Sequence, residues 1–307
     1  MRIVFMGTPD FAVPSLRALA AEHEVALVVT RPDAVRGRGK RLEPSPVKAA
    51  AIELGAPVLE TSRMTPEAVS AITAARPDII CVAAYGCILP DEVLALAPAG
   101  VVNVHASLLP RWRGAAPIQR AILAGDDRAG VSIMRIGHGV DTGPYCAQAS
   151  CTVAGKTAEE LTGELAQLGG ELLVRTLPVI VSGEASWVAQ DEALVTHAAK
   201  VTKAEMRLDP AHAALDIERH VLASSDTAPA RCVLAGKPAR VLAARVATCP
   251  VPISAGELQI HLGHVYLGCA DGSVELVRVK PDGKREMDAA AWAAGQRERG
   301  GSWEALS

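Results

Sequence analysis

The chain has 307 residues, of which 50% are hydrophobic, and a formal net charge of −3. That length suits one large domain or two ordinary ones, and the charge argues against a general basic coat for nucleic acid while leaving room for a local patch. No stretch approaches the ~18 uninterrupted apolar residues of a membrane-spanning helix, and the opening MRIVFMGTPD reads as a strand rather than a signal peptide.

In chain order, RIVFM (2–6) predicts a strand and FAVPSLRALAA (11–21) a helix. EVALVVT (24–30) is a second strand, SPVKAAAIELG (45–55) a helix ending at Gly55, and PVLE a short strand. TPEAVSAITAA (65–75) places Thr65 at the N-cap and Pro66 at the first helical position. DIICVAA (78–84), GVVNVH (100–105) and GVSIMRI (130–136) are further strands, with a helix over GAAPIQRAILAG (114–125). The alternation predicts an α/β domain: a doubly wound, mostly parallel sheet with helices on both faces. A long helix over 156–183 closes it.

Beyond that helix the texture changes. ARCVLAG, ARVLAARV, ELQIHLG, HVYLGCA and SVELVRVK are short β-type runs, with Asp-Gly turn signals at 271–272 and 282–283. They predict a small barrel or sandwich. We expect a catalytic domain over 1–188, a linker over 189–206 and a C-terminal β domain over 207–307. The seven cysteines include no C-x-x-C pair and no histidine at metal-ligand spacing. They read as reduced thiols of a cytoplasmic protein that binds no metal.

In a doubly wound sheet, ligands bind beyond the carboxyl ends of strands. Asn103 and His105, two apart on one strand, share a face there. Asp141, in GHGVDTG, follows the strand 130–136. An amide, an imidazole and a carboxylate suit acyl transfer: the first two donate to a tetrahedral oxyanion, and the carboxylate orients the ring and favours its charged form. Spacing alone leaves open the plainer reading, a loop cap and a satisfied strand-end histidine.

The loop that follows distinguishes the two. Asn103-Val-His105, Ser107-Leu108-Leu109-Pro110 and Asp141-Thr142-Gly143 stand in order over about 40 residues, and the chain resembles the folate-dependent formyltransferases. The resemblance implies a Rossmann-like formyltransferase domain followed by a small OB-like β-barrel. It implies catalytic roles for Asn103, His105 and Asp141, and 10-formyltetrahydrofolate as formyl donor. It further implies that the pterin lies against Cys87, Ile88 and Leu89 and the loop of Gly137, His138, Gly139 and Val140. Ser107, Leu108, Leu109 and Pro110 would flank the same cleft.

The acceptor is read from TRPDAVRGRGKRLEPSPVK (30–48), where Arg31, Arg36, Arg38, Lys40, Arg41 and Lys48 face only Asp33 and Glu43. Such a run is a solvated loop or a phosphate contact. RGRGK, RWRGAAPIQRAI (111–122) and AYGCILP (84–90) narrow the resemblance to the branch that formylates methionyl initiator tRNA in translation initiation. That branch implies a tRNA-binding loop of Arg36, Arg38, Lys40 and Arg41, in a protein we expect to be monomeric. The alternatives are a formyltransferase of an amino sugar nucleotide and a non-catalytic RNA-binding protein on the same fold. No G-x-G-x-x-G follows the first strand, so a dinucleotide site is unsupported.

The C-terminal region departs from the family. The Trp-Pro-Gly stretch is missing, VKPDGKREM (279–287) is retained, and residues 196–307 carry 14 Lys/Arg against 13 Asp/Glu. A tRNA surface there would be a local stripe. Tyr85 reads as a core edge or a support under the pterin. Trp112 stays open between a stacking surface and a buried anchor, and His138 between a tuner of the pterin pocket and an exposed loop residue.

Overall fold

A computed structural model describes residues 1–35 and 42–306. Its contacts group the chain into two compact units: Met1–Pro117, Arg128–Thr152 and Thr162–Ala198 in the first, and Ile118–Asp127, Val153–Leu161 and Ala199–Ser307 in the second. No helix among the described residues is long and apolar enough to cross a membrane.

The chain starts with β1 (Arg2–Gly7), α1 (Val13–Glu22), β2 (Glu24–Thr30), the two-residue strands β3 (Ala34–Val35) and β4 (Leu42–Glu43), and α2 (Pro46–Glu53). β5 (Val58–Glu60), α3 (Pro66–Ala74), β6 (Ile79–Ala83), α4 (Asp91–Leu94) and β7 (Val101–His105) follow. Next come β8 (Arg113–Gly114), α5 (Pro117–Ala124), β9 (Arg128–Arg135), β10 (Tyr145–Thr152), α6 (Ala158–Val181) and β11 (His197–Ala198). The predicted Thr65 cap forms, and Ser45 caps α2 in the same way. Thr65 accepts the Ala68 N–H ahead of Pro66, and Ser45 accepts the Lys48 N–H ahead of Pro46.

One sheet runs in the order β10-β9-β7-β6-β1-β2-β5. The five strands from β5 to β7 are parallel. β6 is buried at every position, as a strand covered on both faces must be. The expected Rossmann-like, mostly parallel sheet is therefore what the chain builds. The departure is at one edge, where β9 runs antiparallel to β7 and β10 antiparallel to β9. The alternating β-α-β pattern suggests a parallel β9, but a strand's direction is not written in its own periodicity. β10 escapes sequence reading altogether, because YCAQASCT is an edge strand whose residues all stay partly exposed.

The second unit contains α7 (Ala214–Leu222), a helix the sequence reading did not pick out ahead of the strand-type runs. β12 (Arg231–Leu234), β13 (Lys237–Val246), β14 (Glu257–His261), β15 (His264–Cys269) and β16 (Gly272–Pro281) follow. β17 (Met287–Asp288), α8 (Ala289–Ala294) and β18 (Gly300–Ala305) complete it. The ladder β13-β12-β18-β14-β15-β16 closes through antiparallel pairing of β13 with β16, giving the OB-like barrel. Two of its hairpins turn through Ala235-Gly236 and Leu262-Gly263, with positive φ at both residues of each. That is the primed turn that matches strand twist. The Asp-Gly at 271–272 marks a real hairpin, but Gly272 opens β16 instead of sitting in the turn. Trp303, 1% exposed, anchors the interior, and its indole N–H donates to the Gly268 carbonyl at 2.8 Å.

Candidate active site

β7 delivers Asn103 and His105 two residues apart at its carboxyl end. His105 is 5% exposed, while Asn103 is half-buried. Its Nε2–H donates to the Trp112 carbonyl at 2.9 Å, and Nδ1 lies 3.6 Å from Asp141 Oδ2. Each ring nitrogen thus faces an oxygen, with a hydrogen bond at Nε2 and only an ion-pair distance at Nδ1. The carbonyl is aimed by a constrained loop: Trp112 has φ +65°, and its N–H donates to Thr196 Oγ1 at 2.9 Å. The Asn103 amide makes no hydrogen bond among the described residues, so its two donors are open to a ligand.

Asp141 does not arrive by the strand-end rule. Because β9 is antiparallel, its own end, Arg135, lies opposite Val102 near the start of β7, and His105 lies opposite Ser132. The loop 136–144 carries the carboxylate back to His105. Asp141 has φ +52°, a left-handed conformation that side chains seldom adopt without support. Support comes from both sides. Oδ2 accepts the Gly114 N–H at 3.0 Å, and the Asp141 carbonyl accepts from Gln190 Nε2 at 2.8 Å. The same Nε2 donates to the Gly143 carbonyl at 2.7 Å. Gly143 itself is required, since a Cβ there would stand 2.0 Å from the Arg135 carbonyl oxygen.

Gln190 is held in turn. Its Oε1 accepts from Arg113 Nε at 2.8 Å, and the buried Arg113 guanidinium forks onto Glu192 at 2.8 and 3.3 Å. The hydrogen bond from Arg113 holds the Glu192 carboxyl below the usual range. Arg113 and Gly114 form β8, paired with β11, which fixes the backbone that meets Asp141. Sequence reading missed Gln190 and Glu192 as contributors. Arg113 stood beside the recognised motif, but nothing in the sequence marked Gln190.

The Ser-Leu-Leu-Pro turn is tied to β9 by Ser132. The Ser132 hydroxyl donates to the Ser107 carbonyl at 2.6 Å and accepts the Leu109 N–H at 3.1 Å and Gln148 Nε2 at 2.8 Å. Gln148 also donates to the Leu109 carbonyl at 2.9 Å, and the Leu109–Pro110 peptide is cis. Ser107 is 3% exposed and donates to the Arg111 carbonyl, and Leu109 is 2% exposed, so both serve the turn itself. Leu108 and Pro110 are half-buried.

The other expected residues lie on two loops. Ile88 is 89% exposed and Val140 74%, so each presents a bare aliphatic group. Cys87 and Leu89 are half-buried, and Gly137, His138 and Gly139 are exposed. His138 Nδ1 stands 3.4 Å from Asp91 Oδ1, an exposed pair that bridges the loop to the start of α4. Tyr85 belongs to the core: its hydroxyl donates to the Thr61 carbonyl at 3.1 Å, and burial pushes its pKa up to about 12. Trp112 is half-buried with the Arg111 guanidinium 4.3 Å from its ring centre. Arg36, Arg38, Lys40 and Arg41 lie outside the described residues. Lys48, counted in the basic run, bridges Asp33 at 2.7 Å and Glu60 at 3.0 Å, and the hydrogen bonds to these carboxylates raise its pKa.

The sequence that builds this site on a Rossmann-like sheet matches a known family. Residues 1–177 match the formyl transferase model and residues 200–297 the formyl transferase C-terminal domain model. The chain belongs to the formyl transferase family. It is 44% identical over 292 residues to the methionyl-tRNA formyltransferase of Methylococcus capsulatus, covering 94% of this chain and 95% of that protein. It is 46% identical over 300 residues to the methionyl-tRNA formyltransferase of Halorhodospira halophila, covering 96% of each. The fold is also that of an N-formyltransferase from Helicobacter canadensis in complex with folinic acid and dTDP-3-aminofucose. The TM-score is 0.67 at 15% identity, over 91% of this chain and 98% of that one.

Proposed function

We propose that this protein transfers the formyl group of 10-formyltetrahydrofolate to the amino group of methionine esterified to initiator tRNA. The observation that carries the chemistry is the open Asn103 amide beside the His105–Asp141 pair at 3.6 Å. The acceptor is supported by near full-length likeness, at 44% and 46% identity, to enzymes named for methionyl-tRNA.

The neutral amine of the methionyl ester attacks the formyl carbon, and the carbonyl electrons move onto oxygen. Asn103 donates to that oxyanion, and the charged His105 ring lends it positive charge. Direct donation from His105 requires Nε2 to exchange the Trp112 carbonyl for the oxyanion. Asp141 takes the proton lost by the amine. His105 gives a proton to N10 as the C–N10 bond breaks and its electron pair stays on N10. Asp141 then releases its proton to solvent and His105 Nε2 takes one back from solvent, which restores the starting state, so one proton has in sum moved from the amine to N10. Ile88 and Val140 offer the apolar contacts a pterin needs, and Leu108 and Pro110 flank the donor's path.

Arg36, Arg38, Lys40 and Arg41 contact the acceptor-end phosphates of the tRNA. The enzyme works as a monomer, and in the cytoplasm, where buried thiols such as Cys81, Cys232 and Cys269 stay reduced. The test is incubation with 10-formyltetrahydrofolate and methionyl initiator tRNA, with methionyl elongator tRNA and an amino sugar nucleotide as rival acceptors. We expect formylation of the initiator alone. Preferential formylation of the sugar, or donor binding with no transfer to any acceptor, would overturn the reading. Arg38→Ala/Lys40→Ala should weaken tRNA binding and flatten its salt dependence by about one charge per residue while sparing donor binding. Unchanged tRNA affinity would remove the basic loop from the interface.

A further inference from the structure

We infer that Gln190 is a positioning residue that fixes the conformation of the loop presenting Asp141 to His105. The inference rests on the catalytic reading of Asp141 given above. The Gln190 carboxamide is fully committed. Both N–H groups go to main-chain carbonyls of the loop, Asp141 at 2.8 Å and Gly143 at 2.7 Å, and its oxygen takes the Arg113 Nε–H at 2.8 Å. Those carbonyls bracket Thr142 and so set the left-handed backbone of Asp141 at φ +52°. Arg113, 5% exposed, anchors the amide from behind and is itself fixed by Glu192. The neighbouring Gly114 N–H meets the Asp141 carboxylate at 3.0 Å. One short stretch of chain therefore holds both the backbone and the side chain of Asp141, and Gln190 links the two.

The chemistry of the site dictates the residue type. A carboxylate of the same shape could still accept from Arg113, but it has no hydrogen for the two loop carbonyls. An aliphatic side chain would leave the carbonyls and the Arg113 Nε without partners. Gln190 hydrogen-bonds to Arg113, Asp141 and Gly143 and not to Asn103 or His105, so its loss should lower kcat and leave KM for donor and tRNA nearly unchanged.

The test compares Gln190→Ala and the isosteric Gln190→Glu with Asp141→Asn and the double variant Asp141→Asn/Gln190→Ala, using single-turnover formyl transfer, KM values and thermal melting. A misplacement of about 1 Å can cost roughly 10²-fold in rate. We expect Gln190→Ala and Gln190→Glu each to lose about 10- to 100-fold in kcat, with KM within about two-fold. The double variant should be no slower than Asp141→Asn, because a positioning residue has no effect once the group it positions is gone. A large loss in Asp141→Asn with Gln190→Glu near wild-type rate overturns the proposal alone. So do losses that multiply in the double variant. Near wild-type rates in a folded Asp141→Asn overturn the catalytic reading beneath it. If Gln190→Ala fails to fold, the isosteric Glu variant decides.

Discussion

Among the described residues, two carboxylate–histidine pairs each have one well-buried member and differ in construction. In the barrel, Glu275 is 7% exposed. One oxygen accepts from His264 Nδ1 at 2.5 Å and the other from Arg245 Nε at 2.9 Å. Burial pushes its carboxyl up, but the hydrogen bonds from His264 and Arg245 outweigh that and hold it below the usual range. Arg245 and Glu275 are also cross-strand partners on β13 and β16. Every polar atom of that carboxylate has a partner, and no residue of the set is left-handed. In the first unit the histidine is the buried member and the carboxylate stands off at 3.6 Å. The Asn103 amide beside it is open, and both Trp112 and Asp141 are left-handed. The barrel pair closes on itself, whereas the pair proposed as reactive stands beside a free donor and between two left-handed residues.

That contrast can be broken by experiment. His105→Ala should lower formyl transfer by about 10²–10⁴-fold, and His264→Ala should leave it unchanged. Equal effects on the rate would erase the distinction. Asn103→Ala should cost about 10²–10³-fold in kcat, as removal of one oxyanion donor does. A folded Asn103 variant with wild-type kcat would show that the open amide is not aimed at the reaction. Glu275→Gln should act on stability instead, losing about 1–3 kcal/mol in a urea melt while the rate per folded molecule stays constant. The smallest effect concerns acid. The folded-state pKa of Glu275 lies below its usual 4.5, so its stabilisation is complete above that value and fades as pH falls through the folded one. The stability gap between wild type and Glu275→Gln should therefore narrow below about pH 4.5. A gap that widened there would reverse the sign of the pairing.

What could be read in advance follows a physical line. β1, β2 and β6 announce themselves because strands buried on both faces are continuous apolar runs. Asn103 and His105 are legible because a strand's period is two, so their spacing alone puts them on one face. β10 is not legible, since a half-exposed edge strand has neither an apolar run nor clean alternation. The direction of β9 depends on pairing with β7, which its own residues do not encode. Asp141 was found through its neighbours Thr142 and Gly143 and not through geometry, and the expected strand-end route to the site proved to be a returning loop. Gln190 lies 49 residues from Asp141 and holds that loop through two main-chain carbonyls. A glutamine that recognises backbone leaves no partner side chain on the loop itself to search for. The barrel hairpins hide for a related reason: Ala235 and Leu262 adopt positive φ, which residues of their type seldom signal.

Ser132 has one hydrogen to give and two lone pairs to share. With the Ser107 carbonyl, the Leu109 N–H and the Gln148 amide it has spent all three. It is fully enclosed, at 0% exposure. The position is therefore saturated in both valence and volume. Alanine would orphan three partners, threonine would need room for a methyl group, and cysteine would replace a strong donor with a weak one. A single hydroxyl thus makes the turn, the edge strand and β9 one mechanical part, so none of the three can drift without the others.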